Sequence, residues 1–275
     1  MRAPMRALPA LFCLGLAIPA PAQWLNCFPP GTPMTADGKP DLSAPAPHAP
    51  DGKPDLTGVW HISRATAADR ARMATAATTL DPYDAYSNNI FKDMKPEDYP
   101  ERPAAVKLRT ERMSTGIRPS PTLYCLPMGL PVNNLVNEVV KFVQAPTITM
   151  VLYEVDGTYR QIHTDGRKLP EDPTPSWLGY STGHWDGDTL VVESNGFNDR
   201  TWLDITGHSH SEAMRLTERY RRLDYGHLEI EMTFDDPKMY TRPFSIKFYH
   251  QLQAGSDIME SYCNENERDR DHLRK

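Results

Sequence analysis

Apolar and polar side chains alternate along the second half of the chain. Every second residue is apolar in residues 228–234 and again in residues 244–249, and the residues between them are polar. Successive side chains of a β-strand point to opposite faces of its sheet. This period therefore predicts strands that bury one face and expose the other to water.

The same reasoning predicts about eight strands in all, separated by Asp-Gly and Asp-Tyr-Gly turn signals. The further strands are expected at residues 148–155, 159–165, 189–193, 215–221 and 258–264, with one more leading into residue 186. Short strands at this spacing favour a mainly β fold, and we expect an antiparallel, lipocalin-like barrel, with a sandwich as the alternative. A barrel of about eight strands is wide enough to hold one small ligand.

The first half of the chain has a different character. Arg2 and Arg6 precede an apolar stretch that ends in Ala-Pro-Ala, which predicts a secretory signal peptide over residues 1–22 and a periplasmic or secreted protein. Residues 23–56 are Pro-rich and contain a near-repeat of Asp-Gly-Lys-Pro-Asp-Leu, so we expect an extended arm with turns. Residues 57–275 form a single barrel domain in this interpretation, with short peripheral helices at residues 65–79 and 104–113.

Composition narrows the possible partners. The 275 residues carry 30 Lys and Arg against 36 Asp and Glu, a net charge of −6, and no basic block is interleaved with aromatic residues. A nucleic-acid partner is therefore not expected, and neither is a membrane anchor. Of the cysteines that remain after export, we expect Cys125 and Cys263 to form a disulfide, because both lie next to segments predicted to be ordered, and Cys27 to be left over.

Five motifs of the chain indicate a family resemblance. They are DGKPDLTGVW at residues 51–60, TDGR at 164–167, GHWDGDTLVV at 183–192, GFND at 196–199 and CNENE at 263–267. Together they resemble a large family of exported bacterial proteins of unassigned function. The resemblance implies export and a single β-rich domain, and it assigns no catalytic residue.

The most chemically loaded stretch is residues 202–212. If it is extended, His208, His210 and Glu212 fall on one face, and two imidazoles with a carboxylate can bind zinc or another divalent metal. His163 and Asp165 show the same spacing and face the same cavity in this hypothesis. In the alternative, Gly207 begins a loop and the histidines have structural roles.

The same residues also support chemistry without a cofactor. A histidine moves protons near neutral pH when a carboxylate fixes its tautomer, which suggests His163 with Asp165, or His210 with Glu212 or Asp204. Arg167 and Tyr180 would then stabilise a developing oxyanion. The Gly-x-Ser-x-Gly pattern around Ser181 lacks the strand-to-helix context of a nucleophile elbow, so we expect an ordinary strand residue there.

The remaining candidates for substrate binding are large aromatic residues and two polar residues at positions where apolar residues are expected. Trp177, Trp185 and Trp202 either stack on a ligand or close the core. Glu218 and His250 occupy apolar positions of alternating strands, so they face the cavity if the strand phase is right.

Three functions follow from these candidates. The first is a lyase, isomerase or hydratase that binds a small apolar or aromatic molecule and uses acid/base chemistry without a cofactor. The second is a non-catalytic carrier of the same ligand. The third is a metal-dependent hydrolase, the only one of the three that needs a divalent metal. The sequence leaves the substrate and the oligomeric state open.

Overall fold

The structure is a computed structural model that describes residues 28–62, 85–114, 120–136 and 138–263. The predicted signal peptide, the helix expected at residues 65–79 and Cys27 lie outside the described residues. In the described part of the chain, nine strands form one closed barrel in sequence order. They are β1 (Gly58–Ile62), β2 (Val139–Ala145), β3 (Ile148–Tyr153), β4 (Tyr159–His163), β5 (Tyr180–Asp186), β6 (Thr189–Asn195), β7 (Arg215–Arg222), β8 (His227–Asp235) and β9 (Phe244–Leu252).

The barrel is antiparallel at every junction except one. Neighbouring strands pair in order, and β1 closes the barrel by pairing with β9. The exception is the pair β4 and β5, which run parallel. A parallel pair cannot be joined by a tight hairpin, so the connection between these strands, residues 164–179, is long.

The helices in the described residues are short. They are α1 (Ala85–Asn88), α2 (Pro103–Ser114) and α3 (Val132–Leu135), with single 3-10 turns at Pro96–Asp98, Pro121–Tyr124 and Val155–Gly157. The helix predicted at residues 104–113 is α2. None of the helices described is both long and apolar enough to cross a membrane.

The barrel prediction is confirmed, and the strand count is nine rather than eight. The strands β1 and β2 were not predicted. The strand expected at residues 258–264 is wrong: residues 258–263 are irregular, and the main-chain N–H of Met259 donates to the side chain of Glu154 at 2.9 Å. Because β9 already pairs with β1, no edge is left there for a further strand.

Alternation along the strands fills the barrel with apolar side chains. Leu228, Ile230, Met232 and Phe234 of β8 are fully buried, as the sequence period predicted. The expected disulfide joins Cys125 to Cys263 and ties the end of the described chain to the turn before α3.

The arm folds as two similar turns against the barrel. Its two near-repeats close with isolated bridges, Met34 with Pro40 and His48 with Pro54. After the first turn, the main-chain N–H of Gly226 donates to the carbonyl of Leu42 at 2.8 Å. A Cβ at Gly226 would lie 2.4 Å from the Cβ of Leu42, so the absence of a side chain allows this contact.

Candidate functional site

The parallel junction of the barrel contains a groove. The strands β4 and β5 are in register at only two positions, Ile162 with Ser181 and His163 with Thr182. Residues at and before these pairs line a cavity of about 500 Å³, which we call the β4–β5 groove. Its lining is Pro127, Gly157, Thr158, Tyr159, Arg160, Gln161, His163, Ser176, Trp177, Leu178, Gly179, Tyr180 and Ser181.

Local turns set the two walls of the groove. On the β4 side, Asp156 and Gly157 adopt left-handed conformations (φ 63° and 57°) and reverse the chain after β3. On the β5 side, Gly179 has φ 66°, and a Cβ there would lie 2.7 Å from the carbonyl oxygen of Asn195. A glycine at this position therefore lets the chain pass close to β6 as it enters β5.

Aromatic rings form the outer rim of the groove. The rings of His163 and Tyr180 are stacked with their centroids 5.3 Å apart. Nη1 of Arg167 donates to the hydroxyl of Tyr180 at 3.1 Å. Trp177 lies in the opposite segment, and the guanidinium of Arg200 is 4.7 Å from the centroid of its ring. Three of the predicted site residues, His163, Tyr180 and Trp177, thus line one groove.

The predicted pairing of His163 with Asp165 is wrong. The carboxylate of Asp165 accepts hydrogen bonds from Nε of Arg167 at 2.9 Å and from Nη2 of Arg167 at 2.6 Å. These hydrogen bonds lower the pKa of Asp165 to about 2. Partial burial, and then the nearby charge of Arg167, lower the pKa of His163 below its ordinary value, so this imidazole is neutral at pH 7.

A buried ion pair lies under the groove, inside the barrel. Nη1 of Arg160 donates to Oε1 of Glu218 at 3.0 Å, and Nη2 donates to the other carboxylate oxygen. The two side chains are 1% and 0% exposed. The carboxylate of Glu218 also accepts from the hydroxyl of Tyr220 at 2.6 Å, so the charge of each partner is matched within the core.

Two serines complete this network. Nε of Arg160 donates to Oγ of Ser181 at 2.9 Å, and Nη2 donates to Oγ of Ser194 at 2.8 Å. Ser181 is a buried strand residue that faces the interior, as expected from its context. Because Arg160 and Ser181 also line the β4–β5 groove, the floor of the groove is the outer surface of this network.

The interior contains further polar atoms around α3. Nε2 of His250 donates to the carbonyl of Asn134 at 2.8 Å, which leaves Nδ1 as an acceptor. Burial lowers the pKa of His250 to about 4. His250 Nδ1 and Oδ1 of Asn133 have no hydrogen-bond partner within the described part of the chain. The predicted phase of Glu218 and His250 is correct, since both face the interior.

Residues 201–209 form a separate polar junction below α2. The carboxylate of Asp204 accepts from the main-chain N–H of Ile90 at 2.7 Å and of Thr206 at 2.9 Å, and it lies 2.6 Å from Nδ1 of His208. Trp202 is buried under the guanidinium of Arg112. Trp202 and Asp204 therefore hold loops together and do not line the β4–β5 groove.

The proposed metal set of His208, His210 and Glu212 is also wrong. Residues 203–208 form a turn, in which the N–H of Leu203 donates to the carbonyl of His208 at 2.8 Å. His210 is buried with Nε2 2.5 Å from the hydroxyl of Thr201, while Glu212 is exposed. Among the residues that the structure describes, no group of three or more His, Cys, Asp or Glu side chains is placed to hold a metal ion.

The alternative acid/base pairs, His210 with Glu212 or with Asp204, do not form either. Nδ1 of His210 donates to the carbonyl of Ser211 at 3.2 Å, so neither Glu212 nor Asp204 fixes its tautomer. Burial lowers its pKa. Of the remaining aromatic candidates, Trp185 is half-buried and packs against the core near the hairpin between β5 and β6, outside the groove lining.

Comparisons of the chain with protein-family models, with curated proteins and with solved structures find no match. The resemblance to exported bacterial proteins therefore stays a prediction from the motifs. Function has to be inferred from the geometry of the β4–β5 groove.

Proposed function

We propose that this chain is an exported protein that binds a small planar organic molecule in the β4–β5 groove. The observation that carries the proposal is the composition of the groove. A cavity of about 500 Å³ lies within the size range of small-molecule sites, roughly 300–1,000 Å³. Its walls are the ring of Trp177 and the stacked rings of His163 and Tyr180, and aromatic faces favour a flat partner.

The polar groups at the two ends of the groove give the ligand an orientation. The floor presents the hydroxyl of Ser181 and the edge of the neutralised Arg160–Glu218 pair. The rim presents Arg167, whose guanidinium is shared between Asp165 and Tyr180. A few polar groups at fixed positions in a mostly apolar site are what sets ligand orientation in such pockets.

A binding experiment tests this proposal. Indole and 2-naphthol serve as flat probes in isothermal titration calorimetry with the mature protein. Truncating Trp177→Ala removes one aromatic wall and is expected to weaken binding about 2- to 10-fold, the range for one aromatic contact. Trp185→Ala is the matched control, because it removes the same side chain outside the groove. Equal affinities of the two variants would contradict the proposal.

Proton transfer by His163 is the second candidate function. The observation in its favour is that the ring of His163, whose pKa is lowered by partial burial, stacks on Tyr180, whose hydroxyl oxygen accepts a hydrogen bond from Arg167 and can direct its own hydrogen toward a ligand. A neutral imidazole takes a proton from the ligand, and the Tyr180 hydroxyl with Arg167 stabilises the oxyanion that forms. This chemistry suits an isomerase, a lyase or a hydratase.

An exchange reaction separates catalysis from simple carriage. The probe is 1-phenylpropan-2-one in D₂O, with deuterium uptake next to the carbonyl followed by NMR. If His163 is a general base, His163→Gln is expected to slow protein-catalysed exchange by about 10²–10⁴-fold, while His184→Gln, on the exposed side of β5, leaves it unchanged. If the wild-type protein exchanges deuterium no faster than the His163→Gln variant, His163 is not a general base. Ligand carriage is then the function that remains.

A further inference from the structure

The groove also exposes an unpaired strand edge. The alternation of main-chain hydrogen bonds between β3 and β4 identifies residues that form it. The N–H of Tyr153 donates to the carbonyl of Thr158, and the N–H of Thr164 donates to that of Thr147. In an antiparallel pair, the residues between such hydrogen-bonded pairs turn their main-chain groups to the other side. Tyr159, which is opposite Leu152, therefore points its N–H and C=O away from β3 and toward β5.

No strand residue of β5 meets Tyr159 in the described part of the chain. The register of β4 with β5 begins only at Ile162 and Ser181. The main-chain groups of Tyr159 therefore face the β4–β5 groove without a strand partner, in a wall where Gly157 to Gln161 all line the cavity. An unpaired edge of this kind is a template for another extended chain.

The opposite wall offers main-chain groups as well. Trp177, Leu178 and Gly179 line the groove, and in the described ranges their N–H and C=O groups make no main-chain hydrogen bond. The chain on either side of them is fixed, since the N–H of Ser176 donates to the carbonyl of Gly196 and Tyr180 pairs with Asn195. Both walls of the groove thus present main-chain donors and acceptors.

We propose that the ligand of the groove is a short extended peptide that carries an aromatic side chain. Its main chain adds to the free edge at Tyr159, and its aromatic ring packs against Trp177. A flat molecule without amide groups satisfies the aromatic wall and leaves the main-chain groups of both walls unpaired, whereas a peptide satisfies both. This inference deepens the proposed function and rests on it, because it names the ligand class of the same groove.

Two peptides and one backbone substitution test the inference. The probes are acetyl-Ala-Phe-Ala-methylamide and the same peptide N-methylated at Phe and at the second Ala, which removes the inner donors. Calorimetry is expected to show at least tenfold tighter binding of the unmethylated peptide. Tyr159→Pro removes one N–H that faces the groove and leaves the hydrogen bonds between β3 and β4 intact, since proline is tolerated at a strand edge.

The matched control for this variant is Tyr159→Ala, which loses the same side chain and keeps the N–H. Thr158 already has φ −88° and ψ 161°, the extended conformation that a residue before proline requires. Relative to Tyr159→Ala, Tyr159→Pro is expected to bind the unmethylated peptide about 2- to 10-fold more weakly, the range for one hydrogen bond. Thermal melts of both variants check that each is folded.

The outcomes separate this inference from the proposed function. Equal binding of the two peptides, or equal binding by the two Tyr159 variants, overturns the peptide inference. If indole nevertheless binds in a way that depends on Trp177, the proposed function stands without it. If neither indole nor a peptide binds, both fail.

Discussion

The buried ion pair between Arg160 and Glu218 gives the sharpest prediction about stability. Replacing Glu218 with Gln keeps the size of the side chain and removes its charge. Arg160 is then left as a cation in the barrel core, where it is 1% exposed and has neutral partners such as the hydroxyls of Ser181 and Ser194 and the new amide. The effect comes from an unbalanced buried charge rather than from a lost contact.

Removing one partner of a buried pair costs about 3–5 kcal/mol. For a domain of this size each kcal/mol lowers the melting temperature by roughly 2–4 °C, so the expected fall is roughly 6–20 °C. The double variant Arg160→Met with Glu218→Leu removes both charges together. Its stability is expected to return to within about 1 kcal/mol of the wild type, or above it, because apolar side chains replace the whole pair.

Urea unfolding followed by circular dichroism measures these differences with the disulfide intact. The surface pair of Arg219 with Asp186 is a matched control, since Arg219 lies next to Glu218 on β7 and both partners are exposed. Asp186→Asn is expected to cost less than about 1 kcal/mol. A loss below 1 kcal/mol for Glu218→Gln would refute the reasoning, and so would a double variant as unstable as the single one.

Three further predictions concern other parts of the molecule. Burial lowers the pKa of His250 to about 4, so the neutral imidazole contributes roughly 3 kcal/mol to stability above about pH 6.5, and this contribution is lost as the pH falls toward 4. In urea unfolding at a series of pH values, the free energy of unfolding of the His250→Gln variant should therefore fall less steeply with decreasing pH than that of the wild type. Asp204→Ala leaves several buried donors unpaired, so we expect a loss of at least about 3 kcal/mol, and unfolding equal to wild type would contradict the role of the Asp204 junction. Replacing Cys125 and Cys263 with Ser removes a cross-link between residues 138 apart in the sequence and should lower the free energy of unfolding by about 2–5 kcal/mol in the same assay. Peptide mapping of the unreduced wild type should recover the two cysteines as a cross-linked pair.

The strands that could be predicted have either a clear period or an Asp-Gly or Asp-Tyr-Gly turn signal beside them. β8 and β9 alternate along their whole length, because one face packs in the core and the other meets water. β2 was missed because Val139, Val140, Phe142 and Val143 put apolar residues on both faces, so its sequence has no period. Closure of the barrel by β1 with β9 depends on residues that lie far apart in the sequence, and local pattern carries no record of it.

The metal site predicted from residue spacing failed because the chain is not extended there. Spacing placed His208, His210 and Glu212 on one face only if the chain is extended. Gly207 has φ 87°, a left-handed conformation outside the range of a strand, so the chain turns here. The carboxylate of Asp204 stabilises this turn by accepting a hydrogen bond from the main-chain N–H of His208. Spacing alone does not distinguish a strand from a turn, so the three residues point to different surroundings.

Arg160 was missed although the sequence contains a signal for it. Glu218 was recognised as a carboxylate at an inward position, and a buried carboxylate needs a buried cation. Arg160 has the inward phase of β4, because it lies two residues before the buried Ile162, and the same test applied to every strand selects Arg222 as well. Arg222 lies four residues beyond Glu218 on β7 and donates to carbonyl groups at the end of the barrel, which leaves Arg160 as the partner.

The position of the groove follows from the topology of the chain. Three antiparallel pairs in this barrel, β5 with β6, β7 with β8 and β8 with β9, are joined by short connections and are in register over most of their length. The parallel junction of β4 with β5 needs a long connection, and residues 164–179 bring Trp177 to β4 before the two strands pair. At this parallel junction, β4 and β5 therefore lie side by side before they begin to pair. In this chain that place carries His163, Tyr180 and Trp177, so the incomplete pairing and the concentration of chemically useful side chains have a common structural origin.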